Sequence, residues 1–559
     1  MGQGVGQRVG LWKRGGQNSE DRPVCADGMD LSAIRKESRT ELTLTFLLFL
    51  AVSFFVLYFH SIHSPFYRYS FFQDANVYMA IGRAMEYGLL PYRDVFDHKG
   101  VLLYLINYLE VAVFPEKLSG LYMILCLSMS LFLFFAYRIG RLILNVRAAL
   151  IATFLLLIVT VIANELYPIG AGSSEEFFLP CLTACLFFLL RLSRDADQNA
   201  RENKNIRGFF VDSVVVGIAC GVMLWTKYSM IPVVGLAFLI FYVFLFLTKH
   251  YRHALSSILG VIAGAVLISV PCLIYLGAKG LFGDMWSAYI VFNYRYARSD
   301  PPMDHVAPNI DQWLVSLPLL IASILGAVYF RKAVRYLSRT GLLCVVIYIC
   351  FTALNLFLSK RYYIYYFLVV FPLLTLALVA AVHSLSGMIA RSRRFRFSEG
   401  LKGIVTAWLV ITVTLSSAAT SVYNWSNGSI FAPETEVEMC ANAIRDFQIK
   451  FGREDPPRII SFVGNESGLM ELLDTYPRDR FFYTPGVFGR DAERIILEQK
   501  AYIEQGKPDF LYIHLEGDVL SWIEKFNSDY RPILIMEDPR EYADSRYYVF
   551  VNVEKVREE

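Results

Sequence analysis

Ionisable residues are concentrated in one short segment of the sequence, where Asp94, Asp97, His98 and Lys99 directly precede an apolar stretch. A further acid, Asp74, lies upstream of them. A carboxylate can take a proton from a reacting hydroxyl, and a lysine can stabilise a negative charge such as that of a phosphate. Charges beside apolar helices at a membrane face are costly to place and therefore indicate a functional site. These five residues are the first candidates for chemistry.

Asp74 and Lys99 also have simpler interpretations. Apolar residues recur at helical spacing after Asp74, so this acid would begin a short helix, where free backbone N–H groups stabilise a negative charge. Lys99 could extend along an apolar surface to reach water. Its position beside two carboxylates and a histidine favours a binding role for the lysine.

A second set of polar residues lies near the ends of other apolar runs. Its members are acids around one turn, a lysine at the end of one run and a cationic segment rich in tyrosine, namely Glu165, Glu175, Glu176, Lys227, Lys360, Arg361, Tyr363 and Tyr365. Several acids and bases on one face could bind an anionic ligand and activate a hydroxyl. For Glu176 and Arg361, a plain position at a helix end is an equal alternative.

His60 and His63 are three residues apart, a spacing that can place two imidazoles on one metal ion. No third ligand can be assigned from the sequence, so a pair of histidines at the membrane interface is the favoured interpretation. A nucleotide-binding GxxxxGK[ST] loop is absent from the sequence. We therefore expect no cofactor; a divalent metal stays open as an alternative, although the sequence does not support one.

The composition indicates which elements position these residues. Of the 559 residues, 55% are hydrophobic and 18% are charged, with a mean hydropathy of +0.43. Soluble proteins carry about 25% charged residues, so this chain is predicted to be an integral membrane protein. The net charge of +3 argues against a nucleic-acid partner. Most of the nine cysteines fall in apolar runs, which argues against a disulfide framework.

Hydropathy predicts an α-helical polytopic membrane protein with about eleven spans, because each span needs roughly 20 apolar residues. The segment 100–114 is apolar but short and contains Glu110. If it does not span, the arginine- and lysine-rich loops all lie in the cytoplasm, so we expect it to be an interfacial helix at the outer face. The predicted spans are 42–59, 119–137, 148–164, 176–192, 209–226, 230–248, 255–276, 313–330, 341–358, 363–385 and 402–422.

This topology predicts a multi-pass protein of the cell membrane with three regions. Residues 1–41 form a disordered cytoplasmic tail, residues 42–429 form the transmembrane bundle with outer interfacial helices at 71–118, and residues 430–559 form an extracytoplasmic α/β domain. In the last region, helical patterns at 434–450, 489–505 and 518–526 alternate with β-rich runs at 458–463, 480–484, 509–515 and 546–551.

The order of these features resembles the first external loop of the GT-C superfamily of membrane glycosyltransferases. An acid opens a short helix, a turn follows, and PYRDVFDHKG at 91–100 leads into an apolar helix. The bacterial branch related to protein O-mannosyltransferases and lipid A aminoarabinose transferase is the most similar. Supporting matches are Glu175, LWTKYS at 224–229 and RYYIYYFLVVFP at 361–372. The chain departs from the family pattern at Ala75, where many members have a second acid, and at Gly100-Val101, where two prolines are common.

The resemblance implies an inverting glycosyltransferase that takes its sugar from a polyprenyl-phosphate donor at the outer face of the bilayer. Asp74 would be the general base that deprotonates an acceptor hydroxyl on a glycan, lipid or protein, and Lys99 would bind the donor phosphate. Further phosphate-binding candidates are Lys360, Arg361, Tyr363 and Tyr365, and the supporting acidic and polar residues are Asp94, Asp97, His98 and Glu175.

Two other functions fit a polytopic bundle with a few charges. A secondary transporter would show internal repeats and charges at the bilayer midplane, whereas here the charges lie at the outer rim, the number of predicted spans is odd and no repeat is evident. A non-catalytic scaffold that presents the external domain is the third alternative.

Overall fold

The protein was studied as a computed structural model. It describes residues 37–114, 119–162, 169–199, 206–298, 310–358, 363–391, 398–419, 428–487, 489–517, 519–538 and 545–557. The predicted tail therefore falls almost wholly outside the described residues.

The apolar runs form a bundle of α-helices, and each of the eleven predicted spans coincides with one helix. Eight helices among the described residues are long and apolar enough to cross a membrane. The other three predicted spans are the helical segments Val146–Ile162, Phe178–Asn199 and Ile310–Lys332. In chain order the helices up to the outer loop after the seventh predicted span are α1 (Arg39–His60), α2 (Gln73–Glu86), α3 (Val101–Val113), α4 (Ser119–Arg141), α5 (Val146–Ile162), α6 (Phe178–Asn199), α7 (Ile206–Thr226), α8 (Ile231–Leu247) and α9 (Tyr251–Ala278).

The described part of the loop after α9 contains two short helices, and four longer helices complete the bundle. A π-helical turn (Trp286–Phe292) separates two of the short helices, and a 3₁₀ turn (Ile364–Val370) leads into α14. The helices are α10 (Phe282–Met285), α11 (Asn293–Arg298), α12 (Ile310–Lys332), α13 (Arg339–Leu358), α14 (Phe371–Arg391) and α15 (Glu399–Ala419).

Helix α3 is too short to cross a bilayer. Its 13 residues extend about 20 Å at 1.5 Å per residue, against roughly 30 Å of hydrocarbon. It packs on α2, and Gly82 allows the two backbones to meet, since a Cβ at this position would lie 2.6 Å from the Asn107 carbonyl carbon. The prediction that segment 100–114 is a helix that does not span agrees with this length.

The C-terminal region contains a four-stranded sheet flanked by helices. The strand order is β1-β2-β4-β3, with β1 parallel to β2 and the other pairs antiparallel. The run 480–484, which we predicted as β-rich, lies beside the sheet without joining it as a strand, because its backbone hydrogen bonds are divided between Ser461, Gly464 and Phe96. The elements are α16 (Glu436–Lys450), β1 (Ile459–Ser461), α17 (Leu469–Leu472), α18 (Arg490–Glu504), β2 (Phe510–Glu516), α19 (Val519–Phe526), β3 (Tyr530–Glu537), β4 (Ser545–Asn552) and α20 (Glu554–Arg557).

This C-terminal unit packs directly on the loop that contains α2 and α3. The Phe96 N–H donates to the Arg480 carbonyl at 2.8 Å, and Arg68 forms an ion pair with Glu438 at 2.6 Å. The candidate residues that precede α3 are therefore covered by the end of the chain.

Candidate active site

Asp74 lies in the first turn of α2, but its carboxylate does not act as the cap of that helix. The N-cap residue is Phe72, and no side chain caps this end of the helix. The Asp74 carboxylate instead accepts hydrogen bonds from the hydroxyls of Tyr78, at 3.2 Å, and Tyr365, at 2.9 Å. Both bonds use Oδ2, so these contacts leave Oδ1 as the oxygen that can take a proton.

Tyr365 reaches Asp74 from a segment far along the chain. It belongs to the 3₁₀ turn before α14, and its ring packs edge-on against Phe72. Tyr363 stacks on Tyr365 with 5.7 Å between ring centroids, and its hydroxyl donates to the Gly486 carbonyl at 3.4 Å. The tyrosine-rich segment thus meets both the start of α2 and the C-terminal unit.

Asp97 is buried, with 1% of its surface exposed, and is surrounded by donors. The Tyr104 hydroxyl donates to Oδ2 at 2.9 Å and the Tyr483 hydroxyl to Oδ1 at 3.0 Å. His98 Nδ1 and Lys99 Nζ lie 3.1 and 4.0 Å from Oδ1. Burial alone would raise the pKa of Asp97, but the charge of Lys99 and the contact with His98 outweigh burial and hold this pKa well below its ordinary value.

His98 is the neutral member of this group. Burial, assisted by the nearby positive charge of Lys99, lowers the pKa of the imidazole. Its Nε2 lies 3.4 Å from Lys99 Nζ. At neutral pH, Asp97 and Lys99 are therefore an opposed charge pair with an uncharged imidazole beside them.

The backbone around Lys99 is fixed on both sides. The Lys99 N–H donates to the Tyr104 hydroxyl, and the next residue, Gly100, donates its N–H to the Thr226 carbonyl at 2.8 Å. A Cβ at Gly100 would lie 2.1 Å from the Trp225 carbonyl oxygen. A proline at position 100 would lack the N–H and would clash with this carbonyl, so the local backbone favours glycine here. The ammonium itself lies 5.5 Å from the centre of the Tyr78 ring.

Asp74 and the segment 97–99 line one small cavity of about 30 Å³. Two parts of the chain form it, the loop with α2 and the C-terminal unit. Its lining residues are Gln73, Asp74, Val77, Tyr78, Asp97, His98, Lys99, Asn465, Tyr483, Pro485 and Gly486. The structure therefore brings together four residues that the sequence analysis singled out, and adds tyrosines that it did not.

The remaining candidates have other partners. Asp94 Oδ2 accepts from the Leu90 N–H at 2.8 Å and so stabilises the turn before α3. Glu175 is buried and lies 2.5 Å from Lys227 Nζ, which also lies over the Tyr366 ring. Lys360, Arg361 and Glu165 lie outside the described residues, so their predicted roles stay predictions.

Glu176 has a structural position at the end of a tight loop. Its carboxylate accepts N–H groups of Gly170 and Gly172 at 2.6 and 2.7 Å. For Glu176 the structure favours a plain position at a helix end, because it lies just before α6 and its carboxylate binds the preceding loop.

The two histidines at the end of α1 do not converge on one point. His60 Nε2 is bonded to the Ser417 carbonyl and His63 Nε2 to the Ala171 carbonyl, at 2.5 and 2.9 Å. Among the described residues, no group of three or more His, Cys, Asp or Glu side chains is arranged to hold a metal ion.

Three tyrosines complete the site without having been predicted as parts of it. Tyr78 lies one helical turn after Asp74, so a spacing of four residues could have identified it. Tyr104 lies seven residues after Asp97, on helix α3. Tyr483 comes from 386 residues along the chain, and nothing in the local pattern points to it.

A known sequence family covers the helical bundle, including the loop that contains α2 and α3. Residues 35–416 match the family described as "Putative competence-induced protein Ccs4 N-terminal domain". The chain belongs to this Ccs4 N-terminal family. The match includes Asp74, Lys99 and Glu175 and ends before the C-terminal unit. No curated protein matches the chain in sequence.

A solved structure shares the fold of this Ccs4-family chain over nearly its whole length. It is the crystal structure of ArnT from Cupriavidus metallidurans bound to undecaprenyl phosphate. The superposition covers 93% of this chain and 99% of that one, with a TM-score of 0.54 and 13% sequence identity. The predicted GT-C fold, a polytopic helical bundle with a C-terminal α/β unit, is confirmed, and the chain is a multi-pass membrane protein.

Proposed function

We propose that this protein is an inverting glycosyltransferase that uses a polyprenyl-phosphate sugar at the outer face of the membrane. The observation that carries the proposal is the cavity that joins Asp74 to Lys99. A group able to accept a proton and a group able to bind a phosphate face the same space. The fold it shares with ArnT, whose crystal structure contains undecaprenyl phosphate, supports a lipid-phosphate donor.

In this proposal Asp74 is the general base. Its Oδ1 takes the proton of an acceptor hydroxyl as that oxygen bonds to the anomeric carbon, while the bond from this carbon to the phosphate oxygen breaks on the opposite side. The hydroxyls of Tyr78 and Tyr365 hold the carboxylate in place through Oδ2. A positioned base of this kind contributes about 10²- to 10⁴-fold to the rate.

Lys99 is the residue that binds the departing phosphate. Its ammonium is buried, with 8% of the residue exposed, and lies 4.0 Å from Asp97. At this distance the pair is an electrostatic contact, and the ammonium can turn toward a second anion. Asp97 is the counter-ion of this buried ammonium, and a cation in a buried place stabilises a developing negative charge most strongly.

The donor needs more space than the cavity offers. A phosphate-linked sugar is larger than about 30 Å³, and Tyr483, Pro485 and Gly486 of the C-terminal unit close one side. We infer that this segment moves when the donor enters. Such a movement would break the Tyr483 hydrogen bond to Asp97 and would free Asp97 to adjust to the phosphate.

The orientation of the chain follows from the same proposal. If the arginine- and lysine-rich loops lie in the cytoplasm, as the positive-inside rule predicts, the amino terminus would lie inside, and an odd number of spans would put the C-terminal unit outside. Residues 42–429 would then be the transferase bundle, and residues 430–559 the external domain that covers its active site. The acceptor is a hydroxyl of a glycan, a lipid or a protein.

The test is sugar transfer by the full-length protein in lipid vesicles supplied with a radiolabelled polyprenyl-phosphate sugar. Asp74→Asn should lower the rate of transfer or of sugar release by about 10²- to 10⁴-fold. Glu86→Gln is the matched control, because it removes one acid from an exposed position of the same helix. Unchanged rates in both Asp74→Asn and Lys99→Ala would refute the assignment. Labelled sugar that crosses the membrane unreacted would instead favour a transporter.

A further inference from the structure

The π-helical turn in the loop after α9 has one buried face. Such turns are rare in proteins and occur frequently at functional sites. This turn, Trp286–Phe292, buries Ala288, Tyr289 and Phe292 and leads directly into Asn293, the first residue of α11. The contacts of this buried face decide what the turn can do.

On the amino-terminal side of Lys99, the end of the turn contacts His98. Asn293 Nδ2 donates to the His98 carbonyl at 2.6 Å and to the Tyr289 carbonyl at 2.8 Å. An amide NH₂ group has two donors, so both are used and the direction of the Asn293 side chain is fixed. The Phe292 ring packs on the His98 ring with 5.3 Å between centroids. The peptide group that joins His98 to Lys99 therefore has a fixed donor.

Tyr289 binds the end of α7 and the residues that follow it. It is 3% exposed. Its hydroxyl donates to the Leu224 carbonyl at 2.6 Å and accepts the Tyr228 N–H at 2.9 Å. One hydroxyl group thus joins the two ends of segment 224–228.

Segment 224–228 is the surface on which the residue after Lys99 rests. The Gly100 N–H donates to the Thr226 carbonyl at 2.8 Å, and a Cβ at Gly100 would meet the Trp225 carbonyl oxygen at 2.1 Å. Lys99 is therefore flanked by two backbone contacts that the π-helical turn supports, one through Asn293 and one through Tyr289. These contacts leave the side chain of Lys99 as the part that can move.

The position of this backbone matters for the binding of an anion. A lysine binds a phosphate as a point charge, and the attraction between two charges falls with their distance and is stronger where water is excluded. A misplacement of about 1 Å, caused by a change away from the reacting groups, can lower a rate by about 10²-fold. A shift of the backbone around Lys99 would move the ammonium by a similar distance.

We propose that Asn293 and Tyr289 are positioning residues that set the place of Lys99 for the donor phosphate. Asn293 acts through the His98 carbonyl and Tyr289 acts through segment 224–228, and neither contacts the phosphate. This inference rests on the proposed function, which gives Lys99 a phosphate to bind. The alternative is that the two residues only stabilise the loop after α9.

The experiment measures equilibrium binding to the full-length protein in nanodiscs. The probes are farnesyl phosphate and farnesol, which have the same chain with and without a phosphate. Lys99→Ala should raise the dissociation constant of farnesyl phosphate by about tenfold or more. Asn293→Ala and Tyr289→Phe should raise it about threefold to tenfold, as expected for the loss of a hydrogen bond, and should leave that of farnesol unchanged. Tyr294→Phe is the matched control at a 55% exposed tyrosine of the same loop, and it should change neither constant.

A double-mutant cycle shows whether the two residues act through Lys99. In the Lys99→Ala background, Asn293→Ala and Tyr289→Phe should not raise the dissociation constant of farnesyl phosphate further. An equal rise in both backgrounds, or an equal rise for farnesol, would mean that the residues only stabilise the loop, which overturns the inference. Tyr289→Phe retains the ring and serves if melting curves show that Asn293→Ala does not fold.

Failure of this inference can be told from failure of the proposed function. If the wild type prefers farnesyl phosphate to farnesol and the Asn293 and Tyr289 variants keep the full preference, the inference alone is overturned. If the wild type binds the two probes equally, Lys99 binds no phosphate, and the proposed function and the inference are overturned together.

Discussion

Asp97 and Glu471 are acids on opposite sides of α2, and their pKa values shift in opposite directions. Asp97 lies next to Lys99 and His98 and has a pKa well below the ordinary value for aspartate. Glu471 lines a cavity of about 670 Å³ on the other face of α2, and burial raises its pKa to about 8. Burial raises both pKa values; at Asp97 the charge of Lys99 and the contact with His98 outweigh it, whereas at Glu471 the neighbouring acids Glu466 and Glu110 add to it and Arg83 offsets it only in part.

This difference separates two environments beside one helix. In the small cavity Lys99 lies 4.0 Å from Asp97. Its ammonium can turn from this carboxylate toward a second anion, which suits the binding of a phosphate. On the other face of α2, burial raises the pKa of Glu471 to about 8 and that of Glu110 to about 7. Two buried carboxyl groups near one helix thus differ in charge state, and the lysine next to Asp97 is one cause of the difference.

Removal of Lys99 should have the largest effect on the rate of sugar transfer, and it should remove the difference in pKa between Asp97 and Glu471. In Lys99→Ala, Asp97 becomes a buried acid without its cation, and transfer should fall by about 10²- to 10³-fold because the departing phosphate loses its partner. The folded protein should also lose stability, and more so at pH 7 than at pH 4, because an unpaired buried carboxylate is penalised only while it is ionised. Transfer rates and melting curves at both pH values measure this.

Lys279→Ala is the control for that change, since Lys279 is an exposed lysine of the outer loop after α9. An equal loss of stability at pH 4 and pH 7 in Lys99→Ala would contradict the claim that Lys99 keeps Asp97 ionised.

Tyr365→Phe sharpens the comparison from the side of the proposed base. The variant removes the 2.9 Å hydrogen bond to Asp74 without changing the shape of the ring. We expect a rate of sugar transfer about tenfold lower, in keeping with the net value of about 1.5 kcal/mol for a hydrogen bond to a charged group. Tyr251→Phe, at an exposed position, should have no effect. A Tyr365→Phe variant as active as wild type would show that Asp74 does not depend on this contact.

Glu471→Gln tests the other side of α2 through the pH dependence of stability. The pKa of Glu471 is about 8 in the folded protein, above the ordinary 4.5. Its favourable contribution is therefore complete below about pH 4.5 and is lost as the pH rises toward 8. Glutamine does not titrate, so the melting temperature of Glu471→Gln relative to wild type should increase from pH 5 to pH 8. A constant difference over that range would mean that Glu471 ionises normally.

Tyr483→Phe should have the smallest effect. It removes the hydroxyl that donates to Asp97 from the C-terminal unit and should lower the free energy of unfolding by about 1.5 kcal/mol, the value for a hydrogen bond to a charged group. Chemical denaturation measures this value. A gain in transfer rate would accompany the loss if donor entry requires this bond to break, whereas a rate reduced as far as in Lys99→Ala would give Tyr483 a direct part in the reaction.

The sequence predicts the bundle well because hydropathy and span length are local properties. All eleven predicted spans coincide with helices, and the segment 100–114 is a helix of 13 residues. The sheet was harder to predict. Strand β3 (Tyr530–Glu537) contains Pro532 and has a mixed burial pattern, so it lacks the signal of a central strand. The aromatic run 480–484 has that signal but is held by tertiary contacts.

The candidate site shows the same limit. Asp74, Asp97 and Lys99 could be selected because their charges adjoin apolar helices. Tyr365 was selected too, as a phosphate-binding candidate, but its contact with Asp74 could not be predicted, because the two residues lie 291 positions apart. Tyr483 could not be selected at all, since it lies 386 positions from Asp97. The pairing of Glu175 with Lys227 likewise spans 52 positions. The roles of these residues in catalysis stay predictions until the variants are measured.

The close contact at Gly82 has a consequence for how such a protein can change its ligands. The backbone of α2 rests on that of α3 without an intervening side chain. Helix α2 also lines two cavities, one of about 30 Å³ and one of about 670 Å³, through residues on its opposite faces. Any residue larger than glycine at position 82 would displace α2 from α3, so the shapes of both cavities would change together. A change confined to one cavity should therefore arise through the side chains that line it, while α2 keeps its place on α3.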